Sequence, residues 1–141
     1  MLPKSGNKYF LMRHGEAEHN VRNILSTKVT NPHHLTETGK KEAIVAAEKL
    51  KTEKIDLIIS SDFIRTRETA ELIRKELGLK SEQIILDEHL REFDVGSFDG
   101  QPGTAPYHGQ PGVETWEQVR RRVMESLYDL EQRFQNKKVL L

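Results

Sequence analysis

The sequence holds no cysteine, which excludes disulfide frameworks and cysteine-based zinc sites. Neither charge is in excess: 22 Lys and Arg residues balance 22 Asp and Glu. Nucleic acids and anionic membranes are held by a bulk basic surface, so neither is expected as a partner, although neutrality does not bar a local basic pocket. No apolar run approaches the roughly 20 residues needed to span a bilayer. The first residues, Met1-Leu2-Pro3-Lys4-Ser5-Gly6, contain no apolar signal core, and a soluble cytoplasmic protein is the default expectation. Repeats and long linkers are also missing. The 141 residues suffice for one domain with a real core, so residues 1–141 are read as a single domain.

What is present begins at Tyr9-Phe10-Leu11-Met12, a short apolar run that ends abruptly in Arg13-His14-Gly15-Glu16. The run reads as a buried strand, Lys8 to Met12, with the polar residues at its carboxyl end. Open α/β sheets bind ligands in the crevice beyond that end. Arg13 can fork two donors onto a phosphate or carboxylate. His14 can serve as base, ligand or nucleophile. Gly15 is read as leaving room for a ligand to approach the backbone.

Further along, Thr36 is placed to cap a helix whose apolar positions are Ala43, Ala47 and Leu50. Residues 55–59 form a second, β-branched strand, and any of Ser60, Ser61 and Asp62 could cap the helix after it. That helix ends at Leu77-Gly78, a C-terminal signal. A third strand spans 83–86, and a Gly/Pro-rich loop covers 98–106. Thr115 and Gln118 form a capping box. The helix they open has a stripe of Trp116, Val119, Val123, Leu127, Leu130 and Phe134, read as packing on the sheet, while Arg120-Arg121-Arg122 is read as solvated. A last strand starts at Lys137. Residues 1–7 are read as a loose end. The alternation of strands and helices implies an α/β fold: a three-layer α/β/α arrangement around a mostly parallel sheet.

A second arginine and an acid also follow strands. Arg65 falls in the first turn of the helix after the second strand, whose anion-attracting end faces the same crevice. Glu92 follows the third strand in Leu90-Arg91-Glu92. Strand ends converge in a parallel sheet, so Arg13, His14, Arg65 and Glu92 are expected to meet. Adjacent His33 and His34, on an extended segment, should point opposite ways, which argues against a metal pair. His19 and His89 belong to no motif.

These pieces resemble the histidine phosphatase superfamily, which includes phosphoglycerate mutases and many small phosphatases. The resemblance rests on Arg13-His14-Gly15-Glu16 with Asn20, Leu35-Thr36-Glu37-Thr38-Gly39, Ser60-Ser61 to Arg65 with Thr69-Ala70, Leu90-Arg91-Glu92 with Gly96 and Asp99-Gly100, and Glu114-Thr115-Trp116. It covers nearly the whole chain in order. It implies a phosphoglycerate mutase-like fold and a phosphomonoester hydrolase. His14 would form a phosphohistidine. Arg13 and Arg65 would hold the phosphoryl oxygens, with Asn20 and Ser26 also contacting the phosphate. Glu92 would be the general acid and then the base. Glu16 would support the site by hydrogen bonding. No cofactor and no metal are implied, and the substrate would be a small phosphorylated metabolite. Chemistry agrees: phosphoryl transfer needs positioning and charge stabilisation, and the attacking imidazole must be neutral, its other nitrogen held by an acceptor such as a backbone carbonyl.

One departure stands out. The family carries a second histidine in a Ser-His-Gly type segment after a strand. The matching strand here is Val139-Leu140-Leu141, where the sequence stops, so the resemblance implies a chain incomplete at its C-terminus. His108-Gly109 is the other His-Gly pair, but it lies in a loop. Two alternatives follow: a mutase-type phosphoryl transferase, or a catalytically silent phosphoryl-binding module. Mutases of the family usually carry a longer insertion over the site where this sequence has the short segment between Gly100 and Trp116, so the resemblance implies a pocket open to water and favours hydrolysis over mutase action. Neither the physiological substrate nor the oligomeric state is written in these motifs.

Overall fold

The computed structural model describes residues 4–141. In chain order the elements are β1 (Lys8–Phe10), α1 (Glu18–Val21), α2 (Glu37–Leu50), β2 (Leu57–Ser60), α3 (Ile64–Leu77), β3 (Ile84–Leu86), α4 (Trp116–Arg133) and β4 (Lys138–Leu140), with short 3₁₀ turns between them. The four strands form one all-parallel sheet in the order β1-β4-β2-β3. The last strand is thus inserted between the first and second.

Neighbouring strand residues point to opposite faces, and both faces are apolar here because both are covered. Ile58 and Leu140 pack with Ala47, Ile55, Ala70 and Ile73 beneath α2 and α3. Ile59 and Val139 pack with Leu130 of α4 on the other side. Three helix ends follow local chemistry in the sequence. The Thr36 hydroxyl accepts from the Gly39 amide at 3.0 Å. Thr115 and Gln118 close the capping box of α4. Gly78 ends α3 at φ +67°, a left-handed conformation that glycine adopts without strain.

Some expectations shift. β1 stops at Phe10, not Met12, and β2 runs 57–60 rather than 55–59. None of Ser60, Ser61 and Asp62 caps α3; its N-cap is Phe63, which supplies no side-chain bond. Those three residues are used elsewhere: the Ser60 hydroxyl donates to the Ser61 carbonyl, Ser61 to Thr66, and Asp62 accepts two bonds from Arg91. Of the stripe on α4, Leu130 and Phe134 pack on the sheet. The middle of the helix meets the 3₁₀ turn Glu88–Leu90, where Arg122 donates to the His89 carbonyl, and Trp116 is 70% exposed. Residues 1–3 of the supposed loose end lie outside the described residues, but Ser5 is buried and its hydroxyl donates to Glu131 at 2.7 Å.

Among the described residues no helix is long and apolar enough to cross a membrane.

Candidate active site

The segment after β1 is held from two sides. The Gly15 amide donates to Thr69 Oγ1 of α3 at 3.2 Å. On its other side α2 presses against the loop: a Cβ at Gly15 would lie 2.2 Å from the Gly39 carbonyl oxygen, and one at Gly39 would lie 2.0 Å from that of Glu16. The close approach that requires Gly15 is therefore to α2 and not to a ligand. Glu16 acts as a strut, as expected: its carboxylate accepts from the Thr36 hydroxyl at 2.6 Å, and its carbonyl accepts from the Thr36 amide at 2.9 Å.

Strapped in this way, His14 has a defined proton position. Nδ1 lies 2.7 Å from the Gly15 carbonyl oxygen, which can only accept. Arg65 Nε, which can only donate, lies 3.2 Å from Nε2. Both contacts require the neutral ring with its proton on Nδ1 and a lone pair on Nε2. Burial is the largest influence holding the His14 pKa below its ordinary value, helped by the positive charges of Arg65 and Arg13 and opposed by the Gly15 bond and Glu92.

Arg65 is the most unusual group in the molecule. It is 1% exposed, yet no carboxylate touches it. Its donors go to three neutral acceptors: His14 Nε2, Ser26 Oγ at 3.0 Å and the Ser26 carbonyl at 2.8 Å. The Phe63 ring lies under the guanidinium, 4.3 Å from centroid to Cζ. Burial lowers the Arg65 pKa most, and Glu92 and Asp99, close but not in contact, partly oppose that; an ionised group buried without a paired carboxylate is costly. Ser26 is held for this contact by the crossing of two loops, in which Leu25 exchanges backbone bonds with Gln101 and Gly100, and the Thr27 amide donates to Asp99 at 2.5 Å.

Arg13, Asn20, Ser26 and Glu92 line one cleft of about 270 Å³, together with His19, Phe93 and Tyr107. Arg65 and His14 do not line this cleft: Arg65 is tied to it by its bonds to Ser26, and His14, bonded to Arg65, lines an adjoining cavity with Met12, Ser61 and Thr69. The cleft residues differ in freedom. Arg13 and Glu92 are exposed. Asn20 is partly committed: its Oδ1 accepts from the Ala17 amide at 2.9 Å, which turns its Nδ2 toward His19 Nε2 at 3.2 Å.

Three features escaped the sequence reading. The first is a file of rings: His14, His19 and His33 stand 5.6 and 5.7 Å apart, centroid to centroid. His19 and His33 are buried, and Nδ1 of His19 and both nitrogens of His33 have no hydrogen-bond partner. Burial and the nearby positive charges push the His19 pKa down to about 3 and lower that of His33. His34 points outward, as expected, onto Glu68 at 2.6 Å. The second is Arg122. Instead of facing solvent, its guanidinium is paired with Glu114 at 2.6 and 3.0 Å and donates to the carbonyls of His89, Arg91 and Glu92 at 2.6, 2.7 and 3.3 Å. It braces the segment that carries Glu92. The third is an aromatic group that reaches the cleft through Phe93 and Tyr107, which line it 6.2 Å apart; Phe93 in turn meets Trp116 at 5.0 Å. Helical spacing marks Arg122 only as polar, and no local pattern buries a histidine.

Among the described residues no cluster of three or more His, Asp or Glu is placed to hold a metal ion.

Comparison with known proteins gives the family of the chain. A family model, the histidine phosphatase superfamily (branch 1), matches residues 9–141. The chain is 44% identical over 90 residues to a probable phosphoglycerate mutase, GpmB, of Photorhabdus laumondii, covering 64% of this chain and 40% of that protein. It is 32% identical over 136 residues to the uncharacterized phosphatase PhoE of Bacillus subtilis, covering 93% of this chain and 68% of that one. Among solved structures, the mycobacterial glucosyl-3-phosphoglycerate phosphatase complexed with VO3 superposes with a TM-score of 0.80 at 25% identity, over 93% of this chain and 72% of the other. The match to the mutase thus spans 40% of the length of that protein.

Proposed function

The chain belongs to the histidine phosphatase superfamily, branch 1, and on that footing we propose that its cleft hydrolyses phosphomonoesters of small metabolites through a phosphohistidine on His14. The observation that carries the reading is Arg65. A buried cation with three neutral partners and no carboxylate is arranged for an anion that the protein does not itself supply. It stands beside a neutral imidazole whose lone pair faces the same place. Phosphoryl transfer asks for this combination of a positioned nucleophile and fixed positive charge.

In this reading the phosphate enters beside Arg13 and Asn20 and takes over the Arg65 Nε donor. His14 Nε2 then attacks phosphorus and the P–O ester bond breaks. The leaving oxygen takes a proton from Glu92, which matters because an alkoxide leaves poorly without one. Water next attacks the phosphohistidine and gives its proton to Glu92. The P–N bond breaks, and His14 returns to its neutral form with its proton still on Nδ1. The Gly15 carbonyl stabilises the positive charge that the ring carries in the intermediate. The open segment between Gly100 and Trp116 favours water as the second acceptor over a retained phosphoester.

The test is product analysis with phosphorylated sugars and 3-phosphoglycerate, using the chain and its His14→Ala variant with a chelator present. Release of inorganic phosphate by the first and not by the second is the expected result. Isomerised phosphoester without phosphate release assigns a mutase instead. No turnover and no phosphohistidine in a folded protein assigns a module that only binds.

A further inference from the structure

We propose that the aromatic group that reaches the cleft is a stacking platform for the leaving group, and that the substrate is a phosphomonoester bearing a flat heteroaromatic ring, a nucleoside monophosphate being the simplest case. This deepens the phosphatase reading and rests on it for the chemistry, though not for the binding.

The argument starts from where the rings are. Only 6% of the residues are Phe, Trp or Tyr, so aromatic side chains are scarce and a group of them needs a reason. Phe93, Tyr107 and Trp116, with His108, form one mutually tilted group: Phe93 lies 5.0 Å from Trp116, 6.2 Å from Tyr107 and 6.3 Å from His108, and Tyr107 lies 4.2 Å from His108. Stabilising the core does not explain it. The group contributes to neither buried cluster, and Trp116, the only tryptophan, is 70% exposed at the first turn of α4. An exposed tryptophan in a group of rings is the composition of a recognition site more than of a solvated helix end.

Continuity with the phosphate cradle names the occupant. Phe93 and Tyr107 line the same cleft as Arg13, Asn20, Ser26 and Glu92. Phe93 directly follows the residue assigned to protonate the leaving oxygen. Whatever is attached to that oxygen therefore emerges beside the rings. The cleft volume of about 270 Å³ falls just below the roughly 300–1,000 Å³ usual for small-molecule sites, which leaves the platform outside it to carry the ring of a bound metabolite. The Arg122 brace fixes the platform as well as the acid, because its bonds to the carbonyls of Arg91 and Glu92 hold the backbone that enters Phe93.

AMP and ribose 5-phosphate form a matched pair: they share the ester bond and leaving oxygen and differ by the base. Titrate each into the chain by calorimetry while following the emission of Trp116. Stacking of a base on an aromatic side chain is worth on the order of ten-fold in affinity. AMP is expected to bind about ten-fold tighter than ribose 5-phosphate and to quench Trp116, with the advantage lost in Trp116→Ala, whose exposed position leaves the core intact. If both are hydrolysed, kcat/KM follows the same order. Equal affinity for the two with no quenching overturns the platform, even if both are turned over and the phosphatase reading stands. Tighter AMP binding with quenching but no turnover supports the platform while the phosphatase reading fails. A change in Trp116 emission that tracks protein concentration and not ligand gives the surface to a second copy of the chain, and also overturns the proposal.

Discussion

Arg65 and Arg122 are both withdrawn from solvent, and both donate to backbone carbonyls, but their surroundings differ in one respect. Arg122 has Glu114 across from it in a two-bond pair. Arg65 has a histidine nitrogen, a serine hydroxyl and a carbonyl. The first arrangement is complete: charge is matched, the carboxylate is satisfied, and the product is a fixed backbone at Glu92. The second is incomplete without an external anion. A buried arginine that has its carboxylate is a structural element, and one that lacks it is a site.

The largest effect is expected at Arg65. Arg65→Met removes the fixed charge, and hydrolysis should fall by about 10²–10³ or more, the range found when one stabilising donor is removed from an active site. Folding stability should move little, within about 1 kcal/mol, because relief from burying an unpaired charge offsets the loss of three bonds to neutral partners. Inorganic phosphate provides a direct check. At 100 times its dissociation constant a ligand of the native state adds about 2.7 kcal/mol, which should appear in wild-type melting and vanish in Arg65→Met. Phosphate stabilisation that survives the substitution would show that Arg65 is not the anion's partner.

Arg122→Met inverts the pattern. It leaves Glu114 mostly buried without its cation and three carbonyls without a donor. The expected loss is about 2–3 kcal/mol of stability, with kcat lowered about ten-fold because the segment carrying Glu92 is released, while phosphate still stabilises what remains folded. Denaturant midpoints and initial rates separate the two arginines. If Arg122→Met costs no more stability than Arg65→Met, the brace is not structural.

The ring file carries the comparison into pH. His19, His33 and His14 are all held below their ordinary pKa, chiefly by burial. The unfolded chain therefore binds protons that the folded chain refuses. Stability should be complete above about pH 6.5, and for His19 it should decline as pH falls from there toward about 3, by up to about 1.4 kcal/mol per pH unit for each such group. His34 acts in the opposite direction, because the Glu68 hydrogen bond raises its pKa; its contribution is present at low pH and is lost as pH rises through the folded value. Denaturation at pH 5 and pH 7.5 should show a smaller difference in His33→Leu than in wild type. NMR titration of the His14 ring should find it neutral below pH 6.5, with the proton on Nδ1.

How much of this was legible in the sequence depends on whether a local pattern encodes it. Arg13, His14 and Arg65 were readable because each follows an apolar run that ends in polar residues, and parallel strand ends converge. Thr36, Gly78 and the Thr115–Gln118 pair were readable because capping is chemistry within four residues. The insertion of β4 between β1 and β2 was not, since it depends on pairings 130 and 82 positions apart in sequence. The burial of His19 and His33 was not either. Their polarity predicts a surface, and the file that sets His19 between His14 and His33 joins residues that no local pattern relates. Trp116 was misjudged because helical periodicity gives the face a residue occupies and not whether the sheet extends beneath it.

Arg121 supplies the smallest and sharpest contrast. It adjoins Arg122 in the run Arg120-Arg121-Arg122, and the sequence offers no reason to separate them. One step of 100° around the helix turns Arg121 into solvent, where its contact is Glu117 at 3.7 Å with both side chains mostly exposed. Such a pair gains little Coulomb energy in water and is screened by salt. Arg121→Ala should therefore change stability by less than about 0.5 kcal/mol and leave hydrolysis unaltered. The measurement is a denaturation curve beside that of Arg122→Met under the same conditions. Equal losses for the two would mean that the run acts as one charged surface, and that the brace on Glu92 belongs to the electrostatics of the helix and not to the hydrogen bonds of a single guanidinium.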